Sequence, residues 1–340
     1  MNFDKAIERL QSSKKITITV VGDYCLDKYL YIDKDRDELS IETGLIAFQV
    51  TKKEIYAGAC GTIAANLCSL GVNVRCMGIV GDDGEGYELL KCLEKIGADI
   101  SYMIKGYNVC TNTYTKPMRV ENGKFKEMSR LDFRNFTSTA QDMEDKIIEN
   151  LKKAVLISDA IILSDQFYEL NFSVITDRVR DFVTQLAIDY PRTIFYADSR
   201  GFINKYRNII VKCNNFEVIK CIMPNYNDVI TEDMLLKCGL ELFMRNKKTV
   251  FITLGVNGSM VFDNKVTSVP AFKVEGTIDI CGAGDANNAG IVLGLTLGFD
   301  EVEAALIGNI VSSITIEQIG VTGTASIEQV IQRLSIISNI

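Results

Sequence analysis

Short β-rich runs, each closing on a polar or turn residue, alternate with helix-length segments along most of this chain, and no other feature constrains the fold as much. ITITVV at 16–21 leads to a helical TIAANLCSLG at 62–71, then VRCMGIV at 74–80 and a helical GEGYELLKCLEKIG at 84–97. Farther on, AIILSD (160–165), TIFYAD (193–198), IKCIMPN (219–225) and VFITLG (250–255) read as strands separated by helices. This order predicts an α/β fold with a central, mostly parallel sheet flanked by helices. Ligands of such folds bind outside the carboxyl ends of the strands, which places Asp23, Asp165, Asp198, Asn225 and Gly255 on one face.

Two regions break the alternation. Residues 27–53 and 109–131 read as extended, and Asn122–Gly123 is a strong hairpin signal. The economical reading is one main domain over 1–340 with these strands inserted as a small β-sheet lid. At the start, Phe3, Ala6, Ile7 and Leu10 recur at helical spacing, so the N-terminus reads as an amphipathic helix and not a signal peptide.

Composition narrows the function. A net charge of −7 argues against a nucleic-acid partner, since phosphate backbones are held by Lys and Arg. No apolar run is long enough to span a bilayer, so no membrane partner is expected. The ten cysteines show no Cys-x-x-Cys pair and fit a reduced, cytoplasmic chain. Histidine is absent, which excludes His-based triads and Cys/His zinc sites.

DICGAGDANNAG at 279–290 carries the chemistry. Its paired glycines leave backbone N–H groups uncovered, and the helix that follows adds its positive end, which together suit an anion. A carboxylate beside an anion hole needs a chemical task. A dinucleotide-binding loop is excluded because Asn287 stands where the third glycine belongs and the segment lies late in the chain.

With these motifs in order, the sequence resembles the ribokinase-type (PfkB) carbohydrate kinases, and within them the heptose-7-phosphate kinase branch. DICGAGD (279–285) is similar to the family's Asp-Thr-x-Gly-Ala-Gly-Asp with Ile280 in place of Thr, and VVGDYCLDKYLYID to the branch's opening. RLDF (130–133), LSD (163–165), PN (224–225) and TLGVNG (253–258) continue the match across about residues 14 to 325.

The resemblance implies a ribokinase-like three-layer fold and an ATP-dependent, Mg²⁺-assisted sugar kinase. It implies Asp285 as general base and the Gly282-Ala283-Gly284 backbone as anion hole. Substrate contacts would come from Asp23, Asp27, Gly58, Thr62, Arg119 and Arg130, with Lys116 and Arg200 as further phosphate partners. Asn225, Thr253, Gly255, Gly258 and Asn309 would serve the nucleotide, Asp228 would meet Mg²⁺ through water, and Asp279 a monovalent cation such as K⁺. A homodimer joined through the lids is expected, because Tyr29, Tyr31, Ile46, Phe48 and Val50 alternate in a way that buries one lid face.

Three departures bear on substrate and activity. GACGT places Ala59 and Thr62 where sugar kinases of the family have the second Gly and the Asn of Gly-Gly-x-x-Asn, and Asp228 stands for the Glu of Asn-x-x-Glu. A kinase for an unphosphorylated sugar or nucleoside, and a catalytically silent sensor on the same fold, therefore stay open. Lacking His and the length of a nucleotidyltransferase domain, the chain is expected to phosphorylate its substrate without activating it as a nucleotide sugar.

Overall fold

Side-chain alternation along the strands divides the core in two. In the strand Thr17–Gly22, Ile18 and Val20 turn to one side of the sheet and Val21 to the other. In Ala160–Asp165, Ala160 and Ile162 part from Ile161 and Leu163 in the same way. Strands apolar on both faces need helices on both faces. In this computed structural model, which describes residues 3–121 and 123–338, the helices Phe3–Gln11, Cys60–Ser69, Gly84–Lys95, Ala283–Thr296, Glu301–Thr315 and Ile327–Ser338 cover one face. Gln141–Ala154, Asp177–Asp189, Asn215–Ile222 and Glu232–Asn246 cover the other.

Among the described residues the main sheet has nine strands, in the order Val266–Val269, Ser259–Phe262, Val250–Thr253, Ile210–Asn214, Ile194–Ser199, Ala160–Asp165, Thr17–Gly22, Asn73–Gly81 and Asp99–Gly106. Pairing is parallel except where Ser259–Phe262 runs against its two neighbours. A separate sheet orders Leu131–Phe133, Thr113–Glu121, Tyr24–Ile32 and Val50–Ala59, with Lys124–Glu127 paired to Thr113–Glu121. The expected hairpin is present, Glu121 pairing with Lys124 and Gly123 at φ 76°; Asn122 lies outside the described residues. The extended stretches called at 27–53 and 109–131 thus form this smaller sheet, with its strands beginning earlier and ending later. The N-terminal helix buries Ala6 and Leu10 as its spacing predicts.

One expected strand is a helix. IKCIMPN at 219–225 contributes to Asn215–Ile222, and the strand lies just before it, at Ile210–Asn214. Asn214 decides this locally: its side chain accepts from the Glu217 N–H while the Glu217 carboxylate accepts from the Asn214 N–H. That reciprocal cap starts the helix in spite of its β-branched residues. The strands Asp99–Gly106, Ser259–Phe262 and Val266–Val269 are further elements that the sequence reading passed over.

Ala59 carries local strain. It caps the helix Cys60–Ser69 with φ 54° and ψ −117°, a region hostile to any side chain with a Cβ. Relief of that strain outweighs the entropy a glycine loses on folding. Ala59→Gly should therefore stabilise the fold by about 1 kcal/mol and raise Tm by about 1–3 °C in a thermal melt; an unchanged or lower Tm contradicts the strain.

Candidate active site

The carboxyl ends of the parallel strands deliver carboxylates and cations to the start of the helix Ala283–Thr296. Gly282 takes φ 76° just before it and offers no side-chain cap, so the first-turn N–H groups are left to a ligand. Ala283 N–H already donates to the Ile280 carbonyl at 3.1 Å. Among the described residues the N–H groups of Gly282, Gly284 and Asp285 find no protein acceptor, so of the expected anion hole only Ala283 is engaged. Gly282 also permits close packing, since a Cβ there would press on the Thr322 side chain and meet the Thr62 methyl at 3.1 Å.

Asp285 stands in the first turn of that helix. Burial pushes its carboxyl up to about 7, Asp198 adds to the rise, and Lys212 and Arg200 oppose it. A carboxylate poised near neutrality can take a proton and release it again. Beneath it lies a buried polar network that the sequence reading missed. Lys212 Nζ donates to Asp198 Oδ2 at 3.1 Å, Asn288 Nδ2 donates to the same oxygen at 2.6 Å, and Tyr196 donates to Asn288 Oδ1 at 2.8 Å. Burial disfavours the Lys212 charge, but Asp198 and Glu217 outweigh it and hold the ammonium protonated. Its Nζ lies 3.4 Å from where a Cβ of Gly284 would be, directly under the open N–H groups.

Across the site, one face of the smaller sheet presents Cys25, Asp27 and Tyr29 from one strand and Tyr114 and Lys116 from its parallel neighbour, as the period of two requires. Lys116 Nζ pairs with Asp27 Oδ1 at 2.8 Å and donates to the Tyr29 hydroxyl at 3.0 Å. Gly58 leaves room for the Asp27 carboxylate, which a Cβ there would strike. Cys281, in the loop before the helix, feels both Lys116 and Asp27, which brings the sheet and the anion hole together.

Behind the hole is a cavity of about 530 Å³, lined among others by Thr253, Gly255, Gly258, Gly284, Asn309 and Ile316. Its size suits a nucleoside. Asn309 is held as wall, its amide donating to Ser259 Oγ at 3.2 Å and to the Pro270 carbonyl at 3.1 Å.

Several expected site residues are placed elsewhere. Asp23 is buried, and both its oxygens are taken by the N–H groups of Gln166 and Val174 at 2.9 Å. It latches the 166–174 loop, so its carboxylate is already engaged by backbone N–H groups. Asn225 and Asp228 lie exposed in the loop after the helix Asn215–Ile222, and the Asn-x-x-acid pair that reaches the strand ends is Asn214 and Glu217. The capping-box signature in NNFE could have revealed it. Arg119 has the opposite parity to Lys116 along its strand and is paired with Asp37 over the Phe48 ring. Arg130 keeps the right face, but its guanidinium is clasped by both oxygens of Asp132, at 2.7 and 2.8 Å. Asp279 accepts from Cys281 N and Gly320 N, each at 3.0 Å, and so closes the loop that precedes the hole.

Residues 17–328 match the model of the pfkB family carbohydrate kinases. The chain is 28% identical over 314 residues to the bifunctional protein HldE of Wolinella succinogenes, covering 92% of this chain and 63% of that protein. It is 26% identical over 324 residues to HldE of Aliarcobacter butzleri, covering 94% and 64%. The chain thus spans under two thirds of the length of these relatives. In fold it is similar to Arabidopsis thaliana ribokinase solved with ribose and ATP, at a TM-score of 0.70 and 17% identity over 94% of this chain and 98% of that one. Escherichia coli phosphofructokinase-2 superposes with a TM-score of 0.71 at 14% identity, covering 95% and 99%.

Proposed function

The chain belongs to the pfkB family of ATP-dependent carbohydrate kinases, and on that premise we propose that it transfers the γ-phosphoryl group of ATP to a hydroxyl of a sugar phosphate of the heptose 7-phosphate kind. The observation that carries the reading is Asp285, held near neutrality beside open N–H groups and a buried lysine. In this mechanism Asp285 accepts the proton of the acceptor hydroxyl as its oxygen attacks the γ-phosphorus. The bond from phosphorus to the bridging oxygen breaks, and ADP leaves. The N–H groups of Gly284 and Asp285, with Lys212 below them, receive the charge on the phosphoryl oxygens, which is where most of the catalysis of such a transfer lies. Asp27, paired with Lys116, orients the sugar.

Magnesium fits the donor set. Asp198, Glu217 and Asp285 gather at the phosphoryl end around the buried Lys212, and burial and Asp198 raise the Glu217 carboxyl. An ion that keeps most of its waters and is carried by phosphates suits two such carboxylates. When bound, it neutralises phosphate charge. Potassium would act through the loop closed by Asp279.

The resemblance to the HldE proteins supports the phosphorylated substrate. The test is ADP release with Mg²⁺-ATP and a panel of heptose phosphates, other sugar phosphates, free sugars and nucleosides. Heptose 7-phosphate is expected to give the highest kcat/KM. Faster turnover of a free sugar or nucleoside would reassign the substrate, and nucleotide binding without any turnover would point to a sensor.

The chain is treated as one kinase unit with the smaller sheet as its lid, working in the cytoplasm; among the described residues no helix is long and apolar enough to cross a membrane. The lid supports self-association. Leu39 and Leu45 are 70% exposed, and Ile41, Ile46, Phe48 and Phe125 of the same insertions are exposed too. A monomer rarely leaves such a surface bare. Light scattering at micromolar concentration should give a dimer, and Phe48→Glu should shift it to monomer; a monomeric parent protein contradicts the lid interface.

A further inference from the structure

Tyr114 stands at the sugar end of the site with three guanidinium groups about it, and their charges are not equally matched. Arg130 lies over the ring, 4.8 Å from its centroid, and is spent on Asp132. Arg134 stacks on Phe167 at 4.9 Å and gives one nitrogen to Glu169 at 2.9 Å, while its Nε is buried with no partner. Arg200 is exposed and forms no ion pair among the described residues; its backbone N–H is fixed to the Asp165 carbonyl at 3.1 Å. Burial raises the Tyr114 hydroxyl, and both Arg200 and Arg134 act against that rise, so both are within electrostatic reach of it. Arg200 acts likewise on Cys25 and on Asp285, so it is within electrostatic reach of the lid face and of the base.

The hydrogen bonding of the guanidinium groups around Tyr114 is therefore incomplete. Asp132 answers Arg130 and Glu169 answers one nitrogen of Arg134, with Lys116 and Asp27 paired next door, while the Arg134 Nε has no partner and Arg200 no ion pair among the described residues. A buried guanidinium N–H without an acceptor is costly and invites an anion. A planar fork and a second free guanidinium suit the oxygens of a phosphate ester. Binding of the transferred phosphoryl is already served by the open N–H groups and Lys212 on the helix side.

We propose that Arg134 and Arg200 bind the phosphate group that the acceptor sugar already carries, with Arg130 fixed over Tyr114 as part of the floor. The inference rests on the kinase reading above and assigns the substrate's own phosphate to residues outside the lid hairpin. Arg134 follows the strand Leu131–Phe133, and Arg200 follows the strand Ile194–Ser199, so the sugar phosphate bridges the smaller sheet and the main one. Discrimination between a sugar and its phosphate ester then depends on both sheets being in place.

The experiment compares the unmodified protein with Arg134→Met, Arg134→Lys and Arg200→Met, using heptose 7-phosphate and the same heptose without its phosphate. Arg134→Met should raise KM for heptose 7-phosphate by about 10–100-fold, the usual weight of a charge-assisted contact. For Arg134→Met, KM for ATP and kcat/KM for free heptose should stay within about twofold, and Arg134→Lys should recover part of the loss; Arg200→Met, whose guanidinium also acts on Asp285, is read by binding of heptose 7-phosphate alone. For Arg134→Met, equal losses for both acceptors, or a raised KM for ATP, overturn the proposal. Calorimetric titration of heptose 7-phosphate without ATP keeps it distinct from the kinase reading. Binding weakened in both Met variants upholds the phosphate site even if no acceptor turns over, and unweakened binding refutes it. Arg200 is exposed, so its variant remains informative should Arg134→Met fold poorly.

Discussion

Asp285→Asn is expected to lower kcat by about 10²–10⁴, the range for a positioned base, with KM for ATP nearly unchanged and a higher melting temperature. The two effects have one cause. The Asp285 carboxyl is raised from 3.8 to about 7, first by burial and then by Asp198. Between those pH values the folded protein holds a proton that the unfolded chain has released, so stability falls as pH rises through this window, and above about 7 the full penalty stands. Asparagine removes the charge that is penalised and also the base. Its amide cannot accept the hydroxyl proton, while the N–H groups of the helix start remain. Measured at pH 8, a melt should show Tm higher by about 2–4 °C alongside the collapse of ADP release. In the parent protein kcat/KM should fall about tenfold per pH unit below about 7 as the base becomes protonated. Loss of activity together with loss of stability would assign Asp285 a structural role.

What the sequence disclosed about this site follows from how local each cause is. The Gly-Ala-Gly-Asp loop was legible because its geometry depends on neighbouring residues: a left-handed Gly282, an uncapped helix start and a carboxylate in its first turn. Asp27 and Gly58 were legible only through the motif resemblance, and the fold then sets them diagonally across one strand pair, Asp27 opposite Tyr56 and Gly58 opposite Cys25. The Asn-x-x-Glu pair was misplaced because two segments carry Asn followed by an acid three residues on, and the β-branched residues of VIKCI read as a strand. Only the reciprocal cap of Asn214 and Glu217 makes that segment a helix. Asp23 was assigned to substrate because its position at a strand end is all that sequence shows, whereas its partners, Gln166 and Val174, come from a loop far along the chain. Arg119 and Arg130 carry the charge the reading sought, yet acids already answer it, and Asp37 in particular is brought to Arg119 by the fold alone. Lys212 was invisible for a related reason. A lone lysine inside a short strand reads as solvent-facing, and its burial depends on Asp198 and Asn288 arriving from a neighbouring strand and a helix.

That buried lysine gives the second large expectation. Lys212→Met should cut kcat by about 10²–10³, the loss typical of removing one donor from a preorganised charge-stabilising site, and shift the acid limb of the kcat/KM profile to higher pH. Lys212 lowers the Asp285 pKa against burial and Asp198, so its loss lets the carboxyl rise further. The variant should also be less stable by about 3–5 kcal/mol, because it leaves Asp198 buried without its counter-ion. A second substitution separates the two roles. In Lys212→Met with Asp198→Asn the uncompensated charge is gone, so most of the stability should return. The acid limb should move back toward lower pH, since Asp198 no longer raises Asp285. Activity should stay low, for the double variant still has no cation beneath the N–H groups of Gly284 and Asp285. Recovery of kcat along with stability would mean that Lys212 acts only by balancing Asp198, and the phosphoryl charge would then rest on the helix start alone.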